Sequence, residues 1–271
     1  MPSQPVRPPA AAGLLYPADP AALTMQIHGL LARAERQPGL PPPKAIIVPH
    51  AGYLYSGAVA ASAYAMLESL RSTVRRVILI GPSHHHAFAG IAIPCCAAFE
   101  TPLDRTELDS ETIFSIANDT AVVFDDAAHA REHSLEVQLP FLQTTLDHFK
   151  LLPLAIGTVT PEAVAALLDK LWGGPETLIV ISSDLSHHHD YPQACEKDSD
   201  TMDRLLGGTD EVLQDQACAA TAINALQRVA QARGLMPRVL DLRNSGDTAG
   251  ERNHVVGYAA ICFTPALRYT H

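Results

Sequence analysis

The sequence predicts an α/β fold in which a layered sheet, with helices on both of its faces, forms one domain over residues 1–271. Three observations support this prediction. Short apolar runs typical of buried parallel strands alternate with amphipathic helical segments along the chain. Three of these runs end in turns that contain histidine, and an open α/β sheet binds its ligands at such ends. The chain shows neither an internal repeat nor a linker that would divide it.

The composition excludes several classes of partner. Hydrophobic residues make up 47% of the chain and charged residues 18%, as in globular proteins. The net charge of -10 lacks the positive surface that nucleic acids and anionic membranes attract. The N-terminus has no apolar signal region, and no apolar run approaches the roughly 18 residues that span a bilayer. Five cysteines without C-x-x-C spacing favour free thiols, so we expect a cytoplasmic protein.

In the first half of the chain, residues 1–13 are rich in proline and alanine and are expected to be extended. Asp19 is the expected N-cap of a first helix that buries Leu23 and Ile27. Further helices are predicted from Gly57 and over residues 110–117. The predicted strands of this half are residues 44–48, 77–80 and 91–94.

In the second half, Ser134 is the expected N-cap of a helix with Leu135, Leu139 and Leu142 on its buried stripe. Thr160 is expected to cap the next helix. Two later helices are predicted over residues 192–206 and 219–232. The predicted strands are residues 151–156, 177–181, 238–242 and 255–263, with a glycine-rich polar loop over residues 243–250.

Histidines follow three of the predicted strands. His50 follows the first strand after a proline, and a run of three histidines beginning at His84 follows the second after Gly-Pro-Ser. The third strand leads into Ser-Ser-Asp-Leu-Ser-His, which contains Asp184 and His187. Because the carboxyl ends of parallel strands meet at one edge of a sheet, we expect these side chains to form a single site.

Two kinds of metal centre fit this set of residues. Two histidines and a carboxylate with open coordination positions hold non-haem Fe(II), and His50, His84 and Asp247 could supply them. The same ligands around Zn²⁺ would activate water for hydrolysis. Asp247 could instead belong to an ordinary Asx turn, and His50 could be a structural, hydrogen-bonded residue. The residues alone do not choose between the metals.

Three further side chains are candidates for proton transfer. Asp184 and His187 lie three residues apart in a turn, where a carboxylate can orient an imidazole. His133 follows Glu132 immediately before a predicted helix. It either points into the cleft as an acid/base group or serves only as a helix-entry residue, and the spacing favours neither.

Four motifs, in this order and spacing, resemble the Memo family. They are PHAGY at 49–53, GPSHH at 81–85, EHSLEVQLP at 132–140 and SSDLSH at 182–187. Tyr16-Pro17 and the closing VVGY at 255–258 also match, so the resemblance covers nearly the whole chain. Bacterial and archaeal members are often described as one component of a system with an AMMECR-type protein and a radical SAM enzyme. The resemblance therefore implies these two partners beside a small-molecule substrate.

The Memo family is similar in fold to the class III extradiol dioxygenases, which hold Fe(II) through two histidines and a glutamate. The resemblance implies that His50 and His84 are metal ligands. It implies that His187 is an acid/base histidine and that His133 is a second active-site histidine. At the third ligand the chain departs from the family, because a human relative has a cysteine where Thr248 stands here. We expect the adjacent carboxylate of Asp247 to bind the metal instead.

The expected function is that of a dioxygenase-like oxidoreductase with a mononuclear non-haem metal site. Its substrate would be an aromatic or enediol small molecule that reacts with O₂. Fe(II) is the expected cofactor, with Zn²⁺ and copper as alternatives. Two other functions stay open, a metal-dependent hydrolase and a non-catalytic module that uses the inherited pocket to bind a peptide or a protein.

Overall fold

A large and a small sheet organise the structure, a computed structural model that describes residues 5–35, 37, 39–208 and 210–266. The strands are β1 (Val6–Arg7), β2 (Ala45–Val48), β3 (Arg76–Pro82), β4 (Ile91–Ile93), β5 (Ala98–Glu100), β6 (Arg105–Glu107), β7 (Val122–Phe124), β8 (Lys150–Ile156), β9 (Thr177–Ser182), β10 (His187–His189), β11 (Leu235–Asn244) and β12 (Val255–Pro265). The helices are α1 (Pro20–Arg33), α2 (Tyr53–Tyr64), α3 (Ser110–Ile116), α4 (Ala127–Ala130), α5 (Leu139–Thr145), α6 (Pro161–Leu171), α7 (Tyr191–Gly207) and α8 (Ala220–Ala232). Short 3-10 turns cover Ala65–Leu70, Glu136–Gln138 and Ser245–Asp247.

Four parallel strands form the centre of the large sheet. Its strand order is β10-β12-β2-β9-β3-β8-β4-β7, and β11 pairs with β12. The neighbours β2, β9, β3 and β8 are all parallel. Every residue of β2 and β9 is buried, which explains the apolar sequence of β2 and the apolar run between Thr177 and Ser182 in β9. The histidine-bearing strands predicted from the sequence are therefore adjacent, and their carboxyl ends lie at the same edge.

The central strands bury a hydrophobic core on each face of the sheet. In β2, Ile46 and Val48 belong to one core and Ala45 and Ile47 to the other, because successive side chains point to opposite faces. Helices α1, α2 and α5 pack on the first face, and helices α6, α7 and α8 pack on the second. The predicted α/β fold with helices on both faces is confirmed. No helix in the described part of the chain has the length and apolar character needed to cross a membrane.

A buried ion pair ties the N-terminal segment to the core. Residues 1–4 lie outside the described part, and β1 pairs in parallel with β5 of the small sheet. The guanidinium of Arg7 donates to the carboxylate of Glu136 at 2.5 Å, and both side chains are almost completely inaccessible. The same carboxylate accepts hydrogen bonds from the hydroxyl of Tyr16 and the N–H groups of Ala10 and Ala11. Arg7 also donates to the carbonyls of His129 and Glu132.

Two of the three helix caps expected from the sequence are confirmed. Asp19 accepts a hydrogen bond from the N–H of Ala22, and Thr160 accepts one from Ala163. The expectation for Ser134 is wrong, because its hydroxyl donates to the carbonyl of Pro82 and the helix proper begins at Leu139. Gly81 permits this close approach, since a Cβ atom there would lie 2.8 Å from the Ser134 hydroxyl.

We expect Arg7→Met to destabilise the protein by about 3–5 kcal/mol, because it leaves the carboxylate of Glu136 buried without its counter-charge. Urea denaturation measures this loss. The matched control is Arg71→Met, which removes the ion pair between Arg71 and Asp147. The side chain of Arg71 is 54% exposed and that of Asp147 is 40% exposed. Its cost should stay under about 1 kcal/mol. Equal costs for the two variants would contradict a structural role for the buried pair.

Candidate metal centre

Three histidine rings meet at the carboxyl edge of the large sheet. His50 lies two residues beyond β2, His84 lies two residues beyond β3, and His133 lies in the loop before α5. The ring centroids of His50 and His84 are 5.1 Å apart, those of His50 and His133 are 5.6 Å apart, and those of His84 and His133 are 4.9 Å apart. One ligand nitrogen from each ring lies within 4.8 Å of the other two. This spacing suits a single metal ion.

The three rings differ in burial, which gives the group a closed and an open side. The side chain of His50 is only 3% exposed, whereas those of His84 and His133 are 31% and 27% exposed. Burial and the neighbouring His84 lower the pKa of His50 to about 3. Burial and the neighbouring His50 lower the pKa of His133 to about 4. Both rings are therefore neutral near pH 7, which is the form that binds metals.

The carboxylate of Glu132 lies behind two of the rings and is hydrogen-bonded to one of them. Its Oε1 lies 3.0 Å from Nδ1 of His84 and 3.5 Å from Nδ1 of His133. Backbone N–H groups of His84 and Ser134 donate to the same carboxylate at 2.5 Å and 2.8 Å. Burial by itself would raise the pKa of Glu132, but these hydrogen bonds hold it well below its ordinary value. A carboxylate behind a histidine fixes the ring orientation and makes the other nitrogen a better ligand.

Burial likewise opposes the charged form of His84, yet its pKa lies above the ordinary value. The hydrogen bond to the Glu132 carboxylate and the negative charge of that group outweigh the burial. A cation at this ring would be stabilised by the same carboxylate. A bound metal ion would therefore replace a proton in a position that already favours positive charge.

Asp184 lies beside the cluster but does not hold His187. Its Oδ1 accepts the backbone N–H of His50 at 2.7 Å, and its Oδ2 lies 3.9 Å from Nε2 of that ring. Burial raises the pKa of this carboxyl group. Among the contacts of the described residues there is no Asp184–His187 hydrogen bond, although their spacing favoured one. The ring of His187 is held instead by the carbonyl of Leu185, 2.8 Å from its Nδ1.

The remaining nitrogen of His187 faces a cysteine that the sequence analysis did not select. A carbonyl only accepts, so Nδ1 of His187 carries a proton, and the lone pair of the neutral ring lies on Nε2. The Sγ atom of Cys218 lies 3.8 Å from this Nε2. No local pattern marks Cys218, because the loop before α8 is 31 residues from His187 in sequence.

Asp247, the third ligand predicted from the sequence, has other partners. It ends a 3-10 turn, and its Oδ2 accepts the N–H of Asn244 in a capping box. Its Oδ1 accepts a hydrogen bond from the hydroxyl of Tyr191 at 2.6 Å. In the described part of the chain, the group of close ligand atoms has His133 as its third member. A role for Asp247 in metal binding stays a prediction.

The environment of Cys218 makes a testable prediction. Burial and the charge of Asp184 raise the pKa of this thiol to about 12, so only about one molecule in ten thousand is a thiolate at pH 8. We expect iodoacetamide at pH 8 to alkylate the exposed Cys195 at least about 100-fold faster, as read by peptide mass spectrometry. The rate at Cys218 should rise about tenfold per pH unit. Equal rates at pH 8 would contradict this protonation state.

Comparison with known proteins agrees with the four motifs. A family model described as "Memo-like protein" matches residues 7–262. A MEMO1 family protein from Aquifex aeolicus is 36% identical over 272 residues, which cover 95% of this chain and 99% of the relative. A MEMO1 family protein from Sulfolobus acidocaldarius is 34% identical over 282 residues, with the same two coverages.

A solved structure shares the fold at much lower sequence similarity. It is that of an uncharacterized protein from Escherichia coli K12, with a TM-score of 0.52 and 11% identity. The match covers 80% of this chain and 98% of that one. The family model spans nearly the whole sequence, and both curated relatives exceed 30% identity over almost their full length. This chain belongs to the Memo family.

Proposed function

We propose that this protein binds one Fe(II) ion through His50, His84 and His133 and oxidises a small aromatic or enediol molecule with O₂. The observation that carries the proposal is the group of three ligand nitrogens within 4.8 Å of one another at the carboxyl edge of the sheet. Two of these rings are neutral near pH 7, and the carboxylate of Glu132 stabilises positive charge at the third.

The three nitrogens are compatible with a non-haem iron ion. Imidazole is a ligand for iron, copper and zinc alike, so the rings themselves do not select the metal. Oδ2 of Asp184 lies 3.9 Å from Nε2 of His50, outside the group of three close nitrogens, and would have to move toward the ion to add a hard oxygen donor. Mixed nitrogen and oxygen donors with open positions are typical of Fe(II) in oxygen-using enzymes. When bound, the ion would supply the redox chemistry that activates O₂ towards the substrate.

The surrounding side chains divide the other tasks. The carboxylate of Glu132 orients His84 through a hydrogen bond and lies 3.5 Å from Nδ1 of His133. The partly exposed edges of these two rings form the open side through which a small molecule would approach. Nε2 of His187 faces the thiol of Cys218 and is the base that would take the proton from a substrate hydroxyl. The thiol of Cys218 at 3.8 Å is a weak donor that a hydroxyl could displace.

A hydrolase is the second candidate, because three histidines are also a ligand set of catalytic zinc. With Zn²⁺ in the site, the same base would activate water against an ester, amide or phosphate. The identity of the native metal separates the two candidates. Because the four motifs resemble the Memo family, we extend the proposal to the setting of the reaction. We propose that it takes place in the cytoplasm, with an AMMECR-type protein and a radical SAM enzyme as partners.

The first test is metal content by mass spectrometry on protein purified without oxygen. We expect about one iron per chain in the parent, because the three nitrogens lie close enough together to bind one ion. His84→Ala and His133→Ala should each lower the content to about a tenth or less, since each removes a ligand. Asp247→Ala decides between the two third ligands, because it should keep its iron if His133 binds the ion and lose it if the Asp247 carboxylate does. The matched control is His86→Ala, whose ring pairs with Asp125.

The second test measures activity in the proteins whose metal content is known. Oxygen uptake with a panel of catechols and enediols should occur in the iron-loaded parent and be lost in the His84 and His133 variants. Cleavage of chromogenic esters, amides or phosphates by the zinc-loaded protein, without oxygen uptake by the iron form, would favour the hydrolase. A parent that takes up no metal even after reconstitution would contradict both, and the pocket would then be studied as a binding module.

A further inference from the structure

A chain of buried hydrogen bonds ends at Nδ1 of His50. Its members are the side chains of Tyr64, Gln138 and Ser182, which we call the polar relay. The relay residues are at most 1% exposed, so water does not compete for their hydrogen bonds. The relay contacts Nδ1 of His50, the ring nitrogen that faces away from Asp184. The direction of each bond can be read from which atoms are able to donate.

The first step fixes the amide of Gln138. Its Nε2 donates to the carbonyl of Pro49 at 2.9 Å and to the Oγ of Ser182 at 2.8 Å. Its Oε1 accepts the hydroxyl of Tyr64 at 2.9 Å. Turning the amide over would place Oε1 against the Pro49 carbonyl, and two acceptors repel each other. Both amide hydrogens of Gln138 are therefore used in hydrogen bonds, and one of these bonds is donated to Ser182.

The second step fixes the hydroxyl of Ser182. Its Oγ lies 2.6 Å from the carbonyl oxygen of Ser134, a distance that requires a hydrogen between the two oxygens. A carbonyl cannot donate, so the single hydroxyl hydrogen of Ser182 is used there. The Oγ atom accepts from Gln138 on one side and has a lone pair left on the other.

The third step reaches the metal ligand. Nδ1 of His50 lies 3.2 Å from the Oγ of Ser182, whose hydrogen is already committed. The contact is attractive only if the histidine donates. We propose that Gln138 and Ser182 are positioning residues that keep the proton of His50 on Nδ1 and leave Nε2 free to bind a metal.

The relay also joins two sides of the candidate centre. Its outer acceptors are the carbonyls of Pro49, which precedes His50, and of Ser134, which follows His133. The end of β2 and the loop that carries His133 are thereby held by the same few hydrogen bonds. The acceptor behind His50 is therefore the neutral hydroxyl of Ser182, whereas the acceptor behind His84 is the charged carboxylate of Glu132. A neutral acceptor fixes the tautomer without adding charge to the buried side of the site.

The tautomer is a property of the metal-free protein and does not depend on the proposed function, whereas the expected effect on metal affinity does. The first measurement is therefore made without metal. Two-bond ¹H–¹⁵N correlation spectra of histidine-labelled protein at pH 7.5 report which ring nitrogen carries the proton, and a His50→Gln spectrum identifies the signals of His50. We expect a protonated Nδ1 and a bare Nε2. A protonated Nε2 in the parent would overturn the inference, and this result needs no folded relay variant.

Variants then test the role of Ser182. Ser182→Ala removes the hydroxyl acceptor and leaves the backbone of Ser182 as the remaining partner of the ring, so the proton of His50 should be held less strongly on Nδ1, and Nε2–H should become populated. Tyr64→Phe should keep the parent pattern, because the Pro49 carbonyl still sets the Gln138 amide. The matched control Ser62→Ala removes another buried serine hydroxyl, one that bonds to Asp241, and should also keep the pattern. An unchanged tautomer in Ser182→Ala would overturn the assignment to Ser182.

Metal affinity gives the functional readout. Titration with Co²⁺ as a probe should show about 10-fold weaker binding to Ser182→Ala than to the parent or to Ser62→Ala, in the range typical of residues behind metal ligands. If Ser182→Ala changes the tautomer of His50 but binds Co²⁺ as tightly as the parent does, the positioning role is overturned. If the parent itself binds no metal, the metal centre fails as a proposal, and the tautomer spectra still decide the inference about His50.

Discussion

The parallel pairing of β2, β9 and β3 is the constraint on which the rest of the structure depends. These strands lie side by side in the order β2-β9-β3, and each is buried on both faces. Parallel strands bring their carboxyl ends to one edge, so residues more than 130 positions apart in sequence become neighbours there. His50, His84 and Asp184 occupy this edge because they follow these three strands.

Buried carboxylates give the site its electrostatic character. Glu132 and Glu136 lie four residues apart in one loop, and both are almost fully buried. Glu136 is neutralised by Arg7 and anchors the N-terminal segment. Glu132 has hydrogen bonds from His84 and Ser134 in place of an arginine. One carboxylate thus stabilises the fold, while the other leaves negative charge beside the rings that would bind a cation.

Different groups lie behind the three rings that would bind the metal. His84 and His133 share the Glu132 carboxylate, whereas His50 has the neutral Ser182 behind it. His187 donates its Nδ1–H to a backbone carbonyl and turns Nε2 toward the weak donor Cys218, an arrangement that suits a base better than a ligand. The division between metal binding and proton transfer in the proposal follows from these partners. Membership of the Memo family is consistent with it but assigns none of these roles.

The sequence by itself determined the α/β fold, the order of its main elements and the strand ends that carry histidine. Strand burial and helix caps such as Asp19 leave local signals, because periodicity and capping act within a few residues. Only the tertiary structure decided that His133 joins His50 and His84, that Ser134 binds the end of β3 in place of capping a helix, and that Cys218 faces His187. Each of these depends on which nitrogen or oxygen a side chain turns toward a distant partner. Spacing along the chain carries no information about that direction, so packing had to supply it.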